Sequence, residues 1–288
     1  MAITKVHGLS IGYEVIGAGR PWAITPGGRF SKDTGGVREL ASALAEHGNQ
    51  VLIWDRPNTG ESDVCFEGSS ESVMQADVLA ALLTQLDMTP AVIVGGSGGA
   101  RVSLLTAARH RELARGLAMW WISGGVYGLF TLGTHYCAGS IRAAWTGGME
   151  AVVALEEWEE VLERNPANRE KLLAQDPKEF VDTLEQWMAA YCPRPDALIA
   201  GLADSEVKAF DVSTLVLRSG TSDLSHRRET SEQLAALLAN ATLVEPPWGD
   251  NEWNERSSAR PGSRGEGLFV GWPALAPLLV EWAGQLPD

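Results

Sequence analysis

Histidine is scarce in this chain: 288 residues contain five, and none lies beyond residue 226. Few positions can therefore supply an imidazole for metal binding or proton transfer. Cysteine is scarcer still. Cys65, Cys137 and Cys192 are odd in number and form no CxxC pair, which argues against a disulfide framework or structural zinc and for a reducing compartment. Basic residues are outnumbered, with 23 Lys and Arg against 37 Asp and Glu, for a net charge of −14. That sign is wrong for a surface that neutralises phosphate backbones or lies on an anionic membrane, so neither nucleic acid nor a membrane is an expected partner. Long apolar runs are missing as well. The one extended uncharged stretch, Gly116 to Thr134, holds five glycines and reads as a buried strand, Leu117–Ile122, followed by a mobile Gly-rich loop. The first residues, MAITKVHGLS, have no apolar core of the kind that directs export, so a cytoplasmic location is expected.

What is present is enough apolar material for a large core, 45% of the residues. Short apolar runs alternate with helical stretches, the pattern of a mostly parallel sheet covered on both faces. Strands are expected over Ile11–Ile16, Trp22–Thr25, Val51–Trp54, Ala91–Val94, Leu117–Ile122, Thr214–Leu217 and Thr242–Val244, and helices near Gly36–His47, Glu71–Asp87, Gly99–His110 and Glu229–Ala239. The alternation stops near Gly124 and resumes near Val212. Residues 1–124 and 212–288 then form one core interrupted by a helical lid, 125–211. From Met149 to Ala190 that insert carries 11 acidic and 4 basic residues, half the net charge of the chain. Its first helix is expected to carry Met149, Val152, Leu155, Trp158 and Leu162 on one apolar face, which can cover a pocket or a neighbouring copy in an oligomer. A last amphipathic helix is expected within Leu268–Trp282, with Pro273 at its start, after a flexible loop over Asn254–Gly267.

The sharpest chemical signal is Gly95-Gly96-Ser97-Gly98-Gly99, directly between a strand and a helix. In that setting G-x-S-x-G is a nucleophile elbow: a strained turn lifts the serine hydroxyl clear of the backbone, and small flanking residues let strand and helix approach. A dinucleotide-binding turn fits worse, because GxGxxG counted from Gly96 ends on Arg101, and no Gly-Lys-Ser/Thr follows for a phosphate loop.

With this elbow the chain resembles the α/β-hydrolase fold superfamily over almost its whole length. Thr25-Pro26-Gly27-Gly28-Arg29 is similar to the family's oxyanion loop, with Pro26 in place of the usual His, and the resemblance implies that the Gly28 and Gly98 N–H groups form an oxyanion hole. Asp55-Arg56-Pro57-Asn58-Thr59-Gly60-Glu61-Ser62 is similar to the family's structural D-x-x-G-x-G-x-S turn, lacking its first Gly. The segment Thr214 to Asp223 looks like the seventh strand and acid loop, which puts Asp223 at the triad acid. The catalytic histidine expected after the last strand is absent. Asp250 or Asn251 stands there instead, within Glu245-Pro-Pro-Trp-Gly-Asp-Asn-Glu-Trp253.

Three possibilities follow for the base. His226, three residues beyond Asp223, supplies the imidazole; or His135 reaches down from the lid; or a carboxylate such as Asp250 serves, or nothing does. Constellations of this kind are defined by geometry and not by chain order. Arg29 and Arg101 are candidates for holding a substrate carboxylate, and Trp120, Trp121, Tyr127, Phe130, Trp248 and Trp253 for lining an apolar pocket. The expected activity is a serine hydrolase acting through Ser97, Asp223 and His226 on an ester, lactone, amide or activated C–C bond of a small apolar or aromatic substrate, with Arg29, His135, Trp121 and Trp248 around it. No cofactor or metal is implied. Two alternatives belong to other classes: a cofactor-free lyase, decarboxylase or isomerase on the same fold, and a ligand-binding protein that has lost its base.

Overall fold

The computed structural model describes residues 2–258 and 267–287. Its centre is an eight-stranded sheet in the order β1-β2-β4-β3-β5-β6-β7-β8. β1 (Ala2–Val6) and β2 (Leu9–Gly17) pair antiparallel, and β2 also runs antiparallel to β4 (Asn49–Trp54). The remainder is parallel: β3 (Arg20–Thr25), β4, β5 (Ala91–Gly96), β6 (Ala114–Trp120), β7 (Thr214–Leu217) and β8 (Ala241–Val244). Register aligns Thr25 with Gly95 and Gly96 with Trp120, so the carboxyl ends of β3, β5 and β6 open at one edge. Ligand sites of open α/β sheets lie at such edges.

Both faces are covered. α1 (Val37–Ala45) and α12 (Ala276–Ala283) share one apolar layer with Trp22, Ile24, Trp120 and Trp272. On the other face α2 (Glu71–Gln85), α3 (Gly98–Arg109) and α10 (Arg228–Leu237) pack with Ile93, Leu117 and Val216. β5 and β7 are buried along their whole length, which is why they read as continuous apolar runs. β1 escapes that pattern. Its burial runs from exposed to buried over five residues, so neither a run nor clean alternation marks it, and His7 falls in the positive-φ turn that follows.

Between β6 and β7 lie α4 (Gly125–Gly133), α5 (Gly139–Val153), α6 (Glu156–Arg164), α7 (Ala167–Leu173), α8 (Pro177–Ala189) and α9 (Asp204–Ala209). The Gly-rich loop expected after Ile122 is therefore a helix: Gly128 and Gly133 are buried in α4, where small residues allow close packing, Gly133 against Tyr191 and Met188. The single helix expected through Leu162 is two, because Leu155 is extended (φ −74°, ψ 138°) and ends the run. Trp158 nonetheless reaches the core from α6 and is fully buried. The last helix starts at Ala276, three residues past the expected start at Pro273, which lies instead in a tight turn over Trp272–Leu275. α11 (Glu252–Ser258) occupies the start of the loop expected over Asn254–Gly267, and residues 259–266 of that loop lie outside the described residues.

Candidate active site

Ser97 is the N-cap of α3, immediately after β5, with φ 56° and ψ −123°. A left-handed φ is costly for any side chain with a Cβ, so the neighbours must enforce it. They do so by contact. A Cβ on Gly99 would lie 1.9 Å from the Thr25 carbonyl oxygen, and one on Gly95 would lie 2.6 Å from the Gly99 backbone. No side chain fits in either place, which explains the small residues two positions to each side of the serine.

The loop between β7 and α10 carries Asp223 and His226, both buried. Its turn is closed by Asp223 Oδ1, which accepts from the backbone N–H groups of Ser225 (3.0 Å) and His226 (2.9 Å). Asp223 Oδ2 lies 3.0 Å from His226 Nδ1, and His226 Nε2 lies 2.8 Å from Ser97 Oγ. A carboxylate only accepts, so Nδ1 carries the proton toward Asp223 and Nε2 is left to accept from the serine hydroxyl. The imidazole is clamped by aromatic rings. Trp253 meets it edge-on at 4.4 Å and Trp121 stacks at 6.2 Å. A hydroxyl, an imidazole and a carboxylate in this line can move a proton off an alcohol as it attacks an electrophile.

Asp250, at the position where the family's histidine was expected, is engaged elsewhere. Its carboxylate accepts from Thr221 Oγ1 (3.0 Å) and Arg228 Nη2 (3.1 Å), and its carbonyl from Ser222 Oγ (3.0 Å). With Asn251, which accepts from the same Ser222 hydroxyl at 2.6 Å, it braces the loop that bears Asp223 and His226.

A cavity of about 440 Å³ opens at Ser97 and His226, walled by Gly28, Phe30, Leu132, His135, Tyr136, Trp253, Arg256, Leu268 and Phe269 among others. His135 is in its wall and packs edge-on against Tyr136; the imidazole on Ser97 is that of His226. Three of the residues expected around the substrate do not line this cavity. Arg29 is turned inward to Glu71 (Nη1 to Oε1, 2.9 Å), Trp121 lies beneath His226, and Trp248 packs on Trp121. Arg101 is buried too, bonded to the hydroxyls of Ser72, Ser123 and Tyr191. Tyr127 and Phe130 face a separate, open groove along α4. Phe30, Tyr136, Arg256 and Phe269 are wall residues that the sequence did not single out; Phe30, two residues past Gly28, was the one with a positional signal.

One group of carboxylates among the described residues, Asp33, Asp55 and Glu61, converges at metal-ligand spacing. The Lys32 ammonium already sits among them, at 2.7, 3.4 and 2.9 Å.

The profile of the alpha/beta hydrolase family matches residues 6–279. No curated protein matches the chain. Similar solved structures include an enol-lactonase from Burkholderia xenovorans, 21% identical over 99% of this chain and 100% of that one, TM-score 0.60. An N-acyl homoserine lactone degrading enzyme is 20% identical over 99% and 100%, TM-score 0.59. A meta-cleavage product hydrolase from Pseudomonas fluorescens is 16% identical over 99% and 98%, TM-score 0.63. An eight-stranded, mostly parallel sheet with helices on both faces, an elbow after β5 and a profile match across nearly all of its length make this chain a member of the alpha/beta hydrolase family.

Proposed function

We propose that the protein is a serine hydrolase that cleaves an ester bond, open or cyclic, in a small and largely apolar substrate. Ser97 is the nucleophile, His226 the general base and then the general acid, and Asp223 the group that fixes the imidazole tautomer. Gly28 and Gly98 present the backbone N–H groups that receive the oxyanion, and the helices between β6 and β7 act as a lid. The observation that carries this reading is the unbroken line from Asp223 Oδ2 through His226 to Ser97 Oγ, at 3.0 and 2.8 Å. It supplies a base from a position three residues after the acid, in place of the histidine that the loop after β8 lacks.

In the first step Ser97 Oγ bonds to the carbonyl carbon while its proton passes to His226 Nε2 and the carbonyl electron pair moves onto oxygen. Collapse expels the alcohol, which takes the proton from His226. Water then repeats the sequence on the acyl-enzyme and releases the acid. The cavity supports an apolar substrate: Phe30, Leu132, Trp253, Leu268 and Phe269 form much of its wall. The enol-lactonase and the lactone-degrading enzyme of similar shape support the ester class, through the fold alone.

A fluorophosphonate probe tests the assignment. Wild-type protein is expected to be labelled once, at Ser97, with labelling lost in His226→Ala and kept in His135→Ala. Wild-type protein that stays unlabelled between about pH 6 and 9, where an imidazole base is deprotonated, overturns it.

A further inference from the structure

α4 does not run smoothly into α5. The turn between them, Thr134–Ala138, is wound as a π-helix. Such a turn inserts an extra residue into the helical ladder, changes the angular position of the side chains that follow, and is frequent at functional sites. Here two successive residues, His135 and Tyr136, both reach the cavity wall. The backbone is pinned at this point, since the Tyr136 carbonyl accepts from Arg29 Nη2 at 3.2 Å. The Tyr136 ring stacks on Tyr191 at 6.1 Å, and the Arg101 guanidinium lies 5.7 Å from its centroid.

The Tyr136 hydroxyl is brought to a specific place. It lies 2.9 Å from the point where a side chain on Gly98 would begin; Gly28 N lies 3.3 Å and Arg101 Nη2 3.8 Å from that same point. A phenol O–H and the Gly28 N–H therefore converge on Gly98, the residue that follows Ser97. We propose that Tyr136 is a third hydrogen-bond donor to the oxyanion formed at Ser97, and that Arg101 is the positioning residue that aims its hydroxyl. The proposal rests on the serine-hydrolase reading given above.

Charge supports it. Arg101 is buried, and its hydrogen-bond partners include the hydroxyls of Ser72 (2.9 Å), Ser123 (3.2 Å) and Tyr191 (3.2 Å), none of them a carboxylate. Arg56, also buried, is bonded to the carbonyl oxygens of Gly27 (3.2 Å) and Gly28 (2.7 Å). Arg29 has Glu71. Three guanidinium groups thus surround the Gly28 loop with one buried carboxylate among these partners. Burying cations without anions is costly, and the cost is offset when negative charge develops beside them. As the carbonyl electron pair moves onto oxygen, Tyr136 keeps its proton and donates a hydrogen bond; the proton that is transferred still runs from Ser97 to His226.

The test uses p-nitrophenyl butyrate turnover and the rate of fluorophosphonate labelling at Ser97. Tyr136→Phe keeps the ring and removes the donor. It is expected to lower kcat about 10²-fold with little change in KM, and to slow labelling in proportion, at an unchanged thermal midpoint. Arg101→Gln is expected to slow the same step, and the double variant to be no slower than Tyr136→Phe alone, because one acts through the other. A Tyr136→Phe variant that turns over and labels at the wild-type rate overturns the proposal and leaves the Ser97 reading standing. Wild-type protein that neither turns over the ester nor labels overturns both.

Discussion

His226 reaches Ser97 across 129 positions of sequence, while its other nitrogen contacts an aspartate only three positions away. The local half of that arrangement is geometric necessity. Asp223 accepts from the backbone of residues 225 and 226, and that turn holds the imidazole's own backbone in place. Asp223→Asn keeps an oxygen for the turn and removes the carboxylate's charge and its hold on the imidazole. The amide presents either a donor or an acceptor to Nδ1 and ceases to enforce one tautomer; kcat on p-nitrophenyl butyrate is expected to fall by about 10⁴, with the thermal midpoint little changed. Activity close to that of wild type would show that the aspartate is there for the loop and not for the imidazole. At this scale the sequence was informative where a residue type is dictated by its backbone. Ser97 sits on a turn that only small neighbours permit, and Asp223 follows a short buried strand. It was uninformative where direction decides. Arg29 stands next to the Gly28 loop in the chain yet points into the protein toward Glu71, and Trp121 supports His226 from behind.

Elements, in turn, are legible by periodicity and illegible by composition. The central strands and the helices over Val37–Ala45, Glu71–Gln85 and Gly98–Arg109 match their apolar patterns. Glycine content misled over residues 123–134. Glycine weakens a helix by roughly 1 kcal/mol against alanine, but buried contacts readily exceed that, and α4 forms. Tyr136 was hidden for the same reason, lying just past a stretch that reads as loop. The segment after β8 shows how one element can take over another's task. It lacks an imidazole, yet Asp250 and Asn251 grip Thr221, Ser222 and Arg228, and Trp253 closes over the imidazole ring. Asp250→Ala removes the carboxylate's part of that grip, on Thr221 and Arg228, without touching Ser97. A modest misplacement of His226 is expected to reduce turnover about tenfold, within the cost of an ångström-scale error in a reacting group, and to leave Ser97 labelling complete at longer times. Silencing as deep as that of His226→Ala would instead make Asp250 a participant in proton transfer.

The whole molecule carries a charge of −14, yet the ground around Gly28 and Gly98 is basic. Arg29, Arg56 and Arg101 come from the loop after β3, the loop after β4 and α3, and Glu71 from the start of α2. Glu71 is the joint. Its carboxylate accepts from Arg29 and from Asn58 Nδ2, each at 2.9 Å, and Arg29 in turn holds the Tyr136 carbonyl and lies 4.6 Å from the centre of the Trp158 ring. Sheet loops and helical insert thus meet on one ion pair. Burial pushes the Glu71 carboxyl up, but Arg29 and the Asn58 hydrogen bond outweigh it and hold the group below its ordinary value of 4.5. A carboxylate whose folded value is lowered contributes stability that is fully present above its unfolded value. That contribution is lost as pH falls through the folded value, so the loss is confined to pH below about 4.5. At Asp33 burial also pushes upward and is outweighed by hydrogen bonds from Lys32 and Arg164, so this group contributes with the same sign. Urea unfolding between about pH 7 and 3 is expected to show a plateau and then a fall in midpoint. Glu71→Gln, which strands a buried guanidinium beside a neutral amide, is expected to cost about 3–5 kcal/mol at neutral pH and to make the acid fall shallower, because one of the titrating groups is gone. A variant as stable as wild type at neutral pH, with an unaltered acid limb, would mean that the basic ground beside Ser97 is held up by packing and not by the Glu71 carboxylate.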